Sequence, residues 1–191
     1  GGKKAETKSV DSKTTEISEL LSEAQQAFDK GYYSLASTRL NQASNLVHQV
    51  ETKRAQKVFP QPLAGWKTSE GGDALNKFQS LGIGSLLATG LVYSKGDQSV
   101  QMVLVVKPST PQPLFDFLLS GLLLPRPGME KIDVHGYTAR YLCAKSKPAD
   151  CDITLPIDTD YVLILNGKSA PREVLLQYAQ AIDFDLLKTF R

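Results

Sequence analysis

Hydrophobic residues recur at intervals of three and four between residues 17 and 50, which is the spacing of an amphipathic helix. The polar segment DKGYYS, residues 29–34, divides this region into two helical segments. Gly31 lies inside the break and suits the C terminus of the first helix. The sequence therefore predicts a helical hairpin within residues 17–57. Its apolar or small positions are Ile17, Leu20, Leu21, Ala24, Ala27 and Phe28, then Leu35, Ala36, Leu40, Ala43, Leu46, Val47 and Val50.

The pattern changes to alternation in the second part of the chain. In the segment LVYSKGDQSVQMVLVV, residues 91–106, two alternating runs flank a turn at residues 95–98 and predict a strand hairpin. Val103 and Val105 make the second face of the later strand apolar as well, so we expect cover on both sides. Further strands are predicted in EKIDVHGYTARYLCA, CDITLPID and DYVLILNG, with turns at His135–Gly136 and Asp158–Thr159.

Two helical segments accompany these strands. PQPLFDFLLSGLLLPRPG, residues 111–128, is bounded by prolines, and APREVLLQYAQAIDFDLLKTF, residues 170–190, has an apolar stripe with Pro171 in its first turn. The order ββ-α-βββ-α predicts an antiparallel sheet with helices packed on it. The fold class is thus α+β: an N-terminal α-helical hairpin followed by an antiparallel sheet over residues 58–191. Pro60 and Pro62 mark the boundary, and Trp66 is the expected first large core residue.

The helix at residues 114–124 is apolar almost all the way round. A helix that packs on a sheet and exposes its outer face to water needs only one apolar stripe. We therefore expect something to cover its second face, with three alternatives: another part of the chain, a second subunit or partner, or a ligand. The candidate interaction face consists of Leu114, Phe115, Phe117, Leu118, Leu119 and Leu122.

The first 16 residues are polar and rich in lysine, serine, threonine and glutamate. Such a composition buries too little apolar surface to offset the entropy of ordering. The prediction for residues 1–16 is a disordered polar tail or a tether. A tether of this kind follows the lipidated cysteine of exported bacterial lipoproteins, and that cysteine would lie upstream of residue 1.

The distribution of charged residues limits the classes of partner that we expect for this chain. The 191 residues carry 22 basic and 20 acidic side chains, with 9 and 7 in residues 1–57 and 13 of each in residues 58–191. No basic stripe interleaved with aromatic residues is visible, which argues against nucleic-acid binding. No run reaches the roughly 18 apolar residues that a membrane helix needs, so membrane attachment is expected only through an N-terminal lipid anchor.

Cys143 and Cys151 are the two cysteines of the chain, and they lie at neighbouring predicted strand ends. Strand ends beside a hairpin loop can come within disulfide distance, roughly 5.5 Å between Cα atoms. The C-x-x-C spacing of a redox motif is absent, and a zinc site would need two further ligands. A structural disulfide is the favoured interpretation, with two free thiols as the alternative. A disulfide would require an oxidising compartment.

Catalytic and metal-binding patterns are weak. The histidines, His48 and His135, are separated along the chain and are more typical of surface or turn positions. Asp150, Asp152, Asp158 and Asp160 form an acidic group, but the EF-hand spacing is absent, and turn chemistry and a solvated face explain them. The sequence therefore predicts no catalytic residue, no metal site and no cofactor.

Three resemblances add to these inferences. Leu20, Ala24, Ala27, Ala36, Leu40 and Ala43 have the offsets of one tetratricopeptide unit, although His48 replaces the expected closing proline. A lone unit cannot bury its own face, so we expect the hairpin to pack on the rest of the chain, on another copy or on a partner. The segments FPQPLAGW, VYSKGDQSVQMVLVV, KIDVHGYTARYL and YAQAID resemble exported bacterial proteins and lipoproteins of uncharacterised function. The element order is also similar to the PsbP-like α+β fold, whose members mostly serve as assembly or accessory proteins.

These resemblances imply a non-catalytic exported protein. We expect an interaction or assembly module of the bacterial envelope, in the periplasm, with a protein partner or a second copy of the chain. A carrier of a small apolar ligand or lipid is the alternative, motivated by the apolar helix at residues 114–124.

Overall fold

The computed structural model describes residues 2–80, 87–106 and 113–190, with the backbone alone described at residues 2–11, 78–79, 87, 114–115, 118–119 and 123. The chain forms two compact units, Gly1–Arg54 and Ala55–Arg191. The fold class is α+β, as the sequence predicts: a helical pair precedes an antiparallel sheet that carries helices.

The first unit is a helical hairpin of α1 (Gly2–Asp29) and α2 (Tyr33–Gln56), except that the last two residues of α2 belong to the second unit. Gly31 ends α1 with a φ of 78°, which glycine adopts without strain. Its amide donates to the carbonyl of Phe28 and the amide of Tyr32 donates to that of Ala27, so the predicted helix end is a Schellman motif. Four small side chains are buried between the helices: Ala24, Ala27, Ala36 and Ala43.

Helix α1 begins before the predicted hairpin. The structure has helix from Gly2 onward, in the region where the sequence predicts a disordered polar tail or a tether over residues 1–16. No proline or further glycine interrupts the chain between Gly2 and Gly31, so nothing local stops the helix. The Nζ of Lys13 also donates to Oε1 of Gln49 at 2.8 Å, which ties this part of α1 to α2.

The second unit contains a seven-stranded sheet in which all neighbours are antiparallel. The spatial order is β1-β2-β3-β7-β6-β5-β4. The strands are β1 (Lys67–Glu70), β2 (Leu87–Lys95), β3 (Gln98–Val106), β4 (Glu130–Val134), β5 (Tyr137–Cys143), β6 (Cys151–Ile157) and β7 (Tyr161–Lys168). The helices are α3 (Asp73–Ser80), α4 (Pro113–Leu123), α5 (Arg172–Gln180) and α6 (Phe184–Lys188).

The main core lies on one face of the sheet. Tyr93, Met102, Leu104, Ile153, Leu155, Leu163 and Leu165 are fully buried there, together with Leu175 and Tyr178 of α5. Trp66 joins this core as predicted, with its ring 5.7 Å from that of Tyr178. Two tyrosine hydroxyls fix the chain that leads into the sheet. Tyr93 donates to the carbonyl of Pro60 at 2.7 Å, and Tyr178 accepts from the amide of Leu63 at 3.1 Å.

A smaller core lies on the opposite face. Val103 and Val105 of β3 are buried there with Val162 and Ile164 of β7, which confirms that β3 is covered on both sides. Leu75 of α3 belongs to the same cluster, and Ala74 and Leu122 pack against it. The sheet therefore separates two apolar layers, and the second layer is the thinner one.

The structure adds elements to the predicted order. Residues 130–143, counted as one strand in that order, form β4 and β5, which meet at the predicted turn of His135 (φ 52°) and Gly136 (φ 80°). Helix α3 is also absent from the predicted order. Edge strand β1 lacks apolar alternation, since all four of its residues are exposed, and the sequence does not predict it. The last predicted helix is divided into α5 and α6 at Asp183, whose side chain accepts from the amide of Leu186.

The predicted disulfide is present. Cys143 and Cys151 are direct cross-strand partners in β5 and β6, with their sulfur atoms bonded and their Cα atoms 3.9 Å apart. The bond closes the β5–β6 hairpin, where the amide of Ala144 also donates to the carbonyl of Asp150. Within the described residues, no helix combines the length and apolar content that a membrane crossing requires.

Candidate interaction surfaces

The candidate face on α4 is described in part. The side chain of Phe117 is 74% exposed, whereas Leu122 is half-buried against the smaller core. The side chains of Leu114, Phe115, Leu118 and Leu119 lie outside the described part of the structure. Phe117 and Leu122 therefore lie in different environments, as expected for side chains five residues apart on a helix.

An open cleft of about 590 Å³ lies beside Leu122 on the smaller-core face of the sheet. Ala74 of α3, Leu122 of α4 and Ile164 of β7 supply its apolar wall. Its polar wall is formed by Asp73, Lys77, Gln101, Asp150, Asp152, Asn166 and Lys168. The volume is within the usual range for small-molecule sites, which is about 300–1,000 Å³.

Local hydrogen bonds organise the polar wall of this cleft. Asn166 donates to the carboxylate of Asp152 at 2.9 Å, and the amide of Ser169 donates to that of Asp150 at 3.0 Å. Partial desolvation of the carboxylate raises the pKa of Asp152, and the hydrogen bond from Asn166 opposes this by lowering it. Asp152 as a whole remains exposed. The sequence prediction explained Asp150 and Asp152 by turn chemistry and a solvated face, and both residues lie at this cleft.

Both histidines have structural contacts. The Nε2 of His135 donates to the carbonyl of Gln180 at 2.6 Å, and its ring packs 4.7 Å from that of Phe184. His48 lies 3.5 Å from the carboxylate of Glu51 within α2. In the ranges that the structure describes, no three potential ligand side chains gather into a metal site.

A second surface lies on the helical hairpin and follows a seven-residue repeat. Steps of four and three residues in α1, and of three and four in α2, assign the heptad positions a and d, with large side chains at a and alanine at the central d positions. Between residues 17 and 50, the a positions are Leu21, Phe28, Tyr33, Leu40 and Val47, and the d positions are Ile17, Ala24, Ala36, Ala43 and Val50. The two helices therefore carry the same alternation.

Burial follows this assignment closely. The five a residues are exposed, from 41% at Val47 to 65% at Tyr33. The three alanines at d are 3–4% exposed, and Ile17 and Val50 are half-buried. The hairpin closes mainly through its alanines, which let two helices approach closely, and leaves the large side chains at the a positions exposed. Leu20 and Leu46 are half-buried, like Ile17 and Val50.

The a residues of both helices lie on one flank of the hairpin. The rings of Phe28 at the end of α1 and Tyr33 at the start of α2 contact edge to face, with centroids 5.5 Å apart. Seven-residue spacing then places Leu21 in line with Phe28, and Leu40 and Val47 in line with Tyr33. We call this surface the heptad flank: Leu21, Phe28, Tyr33, Leu40 and Val47.

Charge beside the heptad flank is confined to its two ends. The neighbouring exposed positions along its middle are polar and uncharged: Ser18, Ser22 and Gln25 in α1, and Ser37, Asn41 and Ser44 in α2. Seven residues further on, these positions carry Asp29, which accepts from Gln25 at 2.8 Å, and the His48–Glu51 pair. The other side of the hairpin carries the ion pair of Glu23 with Arg39 at 2.8 Å, together with the exposed Leu35.

The sequence prediction missed this flank because it treated Leu40 as an inward position of a tetratricopeptide-like unit. Leu40 is half-exposed, at 51%. The signal was available, since Tyr33, Leu40 and Val47 are spaced by seven and alternate with alanines at 36 and 43. The hairpin itself is confirmed, and the resemblances remain predictions.

Comparison with known proteins finds no matching family model, no matching curated protein and no matching solved structure. The surfaces of this chain therefore provide the grounds for a functional proposal.

Proposed function

We propose that this protein is a non-catalytic interaction or assembly module of the bacterial envelope, which binds through its helical hairpin. The heptad flank carries the proposal. Five large apolar side chains at regular spacing, two of them aromatic, form a continuous exposed stripe across two helices. Contiguous apolar surface of this kind marks protein contact sites, and aromatic side chains are enriched in such sites.

Site-specific photo-cross-linking in the native envelope tests this function. A photoreactive residue at Ser44 lies at the border of the heptad flank, whereas one at Gln42 lies on the other side of α2 and serves as the control. We expect protein cross-links from position 44 that Leu40→Asp removes and Leu35→Asp leaves in place. Equal cross-linking from both positions, or indifference to Leu40→Asp, would refute binding through this flank.

The disulfide supports the location in the envelope. The Cys143–Cys151 bond persists in oxidising compartments such as the periplasm and is rare in reducing ones. Attachment through an N-terminal lipid is part of the same proposal. Mass spectrometry of the full-length protein recovered from membranes should find a lipidated N terminus, and an unmodified soluble one would contradict attachment.

A carrier of a small apolar ligand or lipid is the second candidate. The cleft of about 590 Å³ supports it, because Leu122 and Ile164 offer apolar contact beside a polar wall. Solvent extraction of protein purified from its native envelope, followed by mass spectrometry, should recover a stoichiometric small molecule if this is correct. A protein purified free of ligand that also fails to bind fluorescent lipid probes would exclude it.

A further inference from the structure

We propose that the occupant of the heptad flank is the same flank of a second copy of this chain, so that two hairpins form a four-helix bundle. This inference rests on the proposed function, because it names the partner for the same surface. It depends on three observations: the period of the stripe, the size of its side chains, and the uncharged border along the middle of the stripe.

The period of the stripe selects a helical partner. Leu21 and Phe28 are seven residues apart, as are Tyr33, Leu40 and Val47. A seven-residue repeat stays in contact over several turns only with another helix that has the same repeat. A strand presents its side chains with a period of two and would lose register with this stripe after one or two contacts.

The sizes of the side chains divide the hairpin into a closed layer and an open one. The alanines at positions 24, 36 and 43 are already buried within the hairpin. The large residues at the a positions have no equivalent layer and remain open. In a four-helix bundle each helix contacts two neighbours, so one hairpin supplies half of the contacts and a second hairpin completes them.

The charge pattern keeps the middle of the heptad flank free of like-charge repulsion. In a twofold dimer the same patch faces itself, so like charges on the patch would repel one another. Serine, asparagine and glutamine border the middle of the flank, whereas Asp29 and the His48–Glu51 pair lie at its two ends. A second copy therefore meets the middle of the flank with an apolar stripe and an uncharged border.

Sedimentation velocity on the full chain tests this inference. We expect wild-type protein to change from a monomer of 20.9 kDa to a species of twice that mass as its concentration rises. The useful range is about 1 μM to about 100 μM. Leu40→Asp should raise the dissociation constant by about a hundredfold or more, because a twofold dimer loses the contact twice and would bury two carboxylates.

Leu35→Asp is the matched control. Leu35 belongs to the same helix and is 46% exposed, close to the 51% of Leu40, but it lies about 140° around the helix from it. It should dimerise like wild type. Val47→Asp, a second variant within the heptad flank, should repeat the effect of Leu40→Asp. Circular dichroism should show unchanged helix content in all three variants.

The outcomes separate this inference from the proposed function. Two results would overturn the second-copy inference. In the first, the wild-type protein stays monomeric over the whole concentration range. In the second, Leu40→Asp and Leu35→Asp weaken the dimer equally. If cross-linking from position 44 still depends on Leu40 in that case, the proposed function stands with a different partner. If neither self-association nor cross-linking depends on the flank, both are wrong.

Discussion

Gly167 in β7 lies where the sheet and α5 leave no room for a side chain. A Cβ atom added there would collide with Cδ1 of Leu175 and would come within 3.0 Å of its Cδ2 and 3.1 Å of the carbonyl oxygen of Cys151. Leu175 is fully buried and cannot move away freely. The glycine is thus required by packing.

Gly167→Ala should therefore destabilise the second unit by about 1–3 kcal/mol, the usual cost of overpacking a core. Urea unfolding measures this effect. Gly121→Ala in α4 is the control, because no atom lies within 4 Å of its added Cβ. That change should be neutral or stabilise by up to about 1 kcal/mol, as expected for a helical glycine. Equal stability of the two variants would contradict the close packing of β7 on α5.

Tyr93 gives a prediction about pH. Its hydroxyl donates to the carbonyl of Pro60, and desolvation, followed by the nearby Tyr178, raises its pKa above the ordinary value of 10.0. The folded protein therefore holds this proton more tightly than the unfolded chain does. The contribution to stability is complete below about pH 10 and is lost as the pH rises above that value, because the unfolded chain ionises first.

Tyr93→Phe should reduce the alkaline fall in stability, and should also cost about 1 kcal/mol at neutral pH by leaving the Pro60 carbonyl without its partner. Melting temperatures between about pH 8 and pH 11 measure both effects. Tyr178→Phe offers a comparison, since burial also raises the pKa of Tyr178. Identical pH profiles for wild type and Tyr93→Phe would refute the link to this hydroxyl.

At the level of elements, sequence periodicity predicts the strands and helices whose side chains pack in the core. The double-sided apolar pattern of β3 follows directly from its cover on both faces, and Trp66 is buried as predicted. Strand β1 could not be predicted, because Lys67, Thr68, Ser69 and Glu70 are held by backbone pairing with β2 and bury no side chain. A polar edge strand leaves no hydrophobic pattern to detect.

The candidate surfaces were predicted less well, for physical reasons. The residues that line the cleft come from α3, α4 and three sheet segments. A local sequence pattern cannot show that such distant segments lie together. The exposed a positions of the hairpin resemble core positions in sequence, because a partner surface and a core use the same residue types. Burial in the structure distinguishes Leu40 from Ala36, and periodicity alone cannot.

The disulfide stabilises the β5–β6 hairpin, and its removal should have a limited effect. The two cysteines are 8 residues apart, so the chain-entropy relation gives about 2.5 kcal/mol. We expect reduction to lower the melting temperature while the sheet stays folded, since the main core does not depend on this loop. Oxidised protein from its native compartment should be about 2 Da lighter than the reduced form.

The double variant Cys143→Ala, Cys151→Ala is the control for this prediction. Its melting temperature should match that of the reduced protein and should not respond to reductant. Two alkylatable thiols in the protein recovered from its native compartment would contradict the disulfide there. If reduction unfolds the protein, the end of the β5–β6 hairpin contributes more to the stability of the sheet than its position at the end of two strands suggests.

For the whole molecule, the two units differ in how they bury apolar surface. All described members of the two core clusters lie from Ala55 onward, on the two faces of one sheet. The hairpin instead buries four small alanines and leaves the large side chains of the heptad flank exposed. Stability is therefore concentrated in the second unit and exposed contact surface in the first.

Residues 55–191 alone should consequently fold with a single cooperative melt, form the Cys143–Cys151 bond and stay monomeric at concentrations where the full chain self-associates. Differential scanning calorimetry and sedimentation velocity on the fragment and the full chain measure these properties. A fragment without a cooperative transition would mean that the sheet needs the hairpin to fold. A fragment that self-associates like the full chain would place the contact on the second unit, where the exposed Phe117 of α4 is the first residue to replace, with Phe117→Ser as the variant to compare.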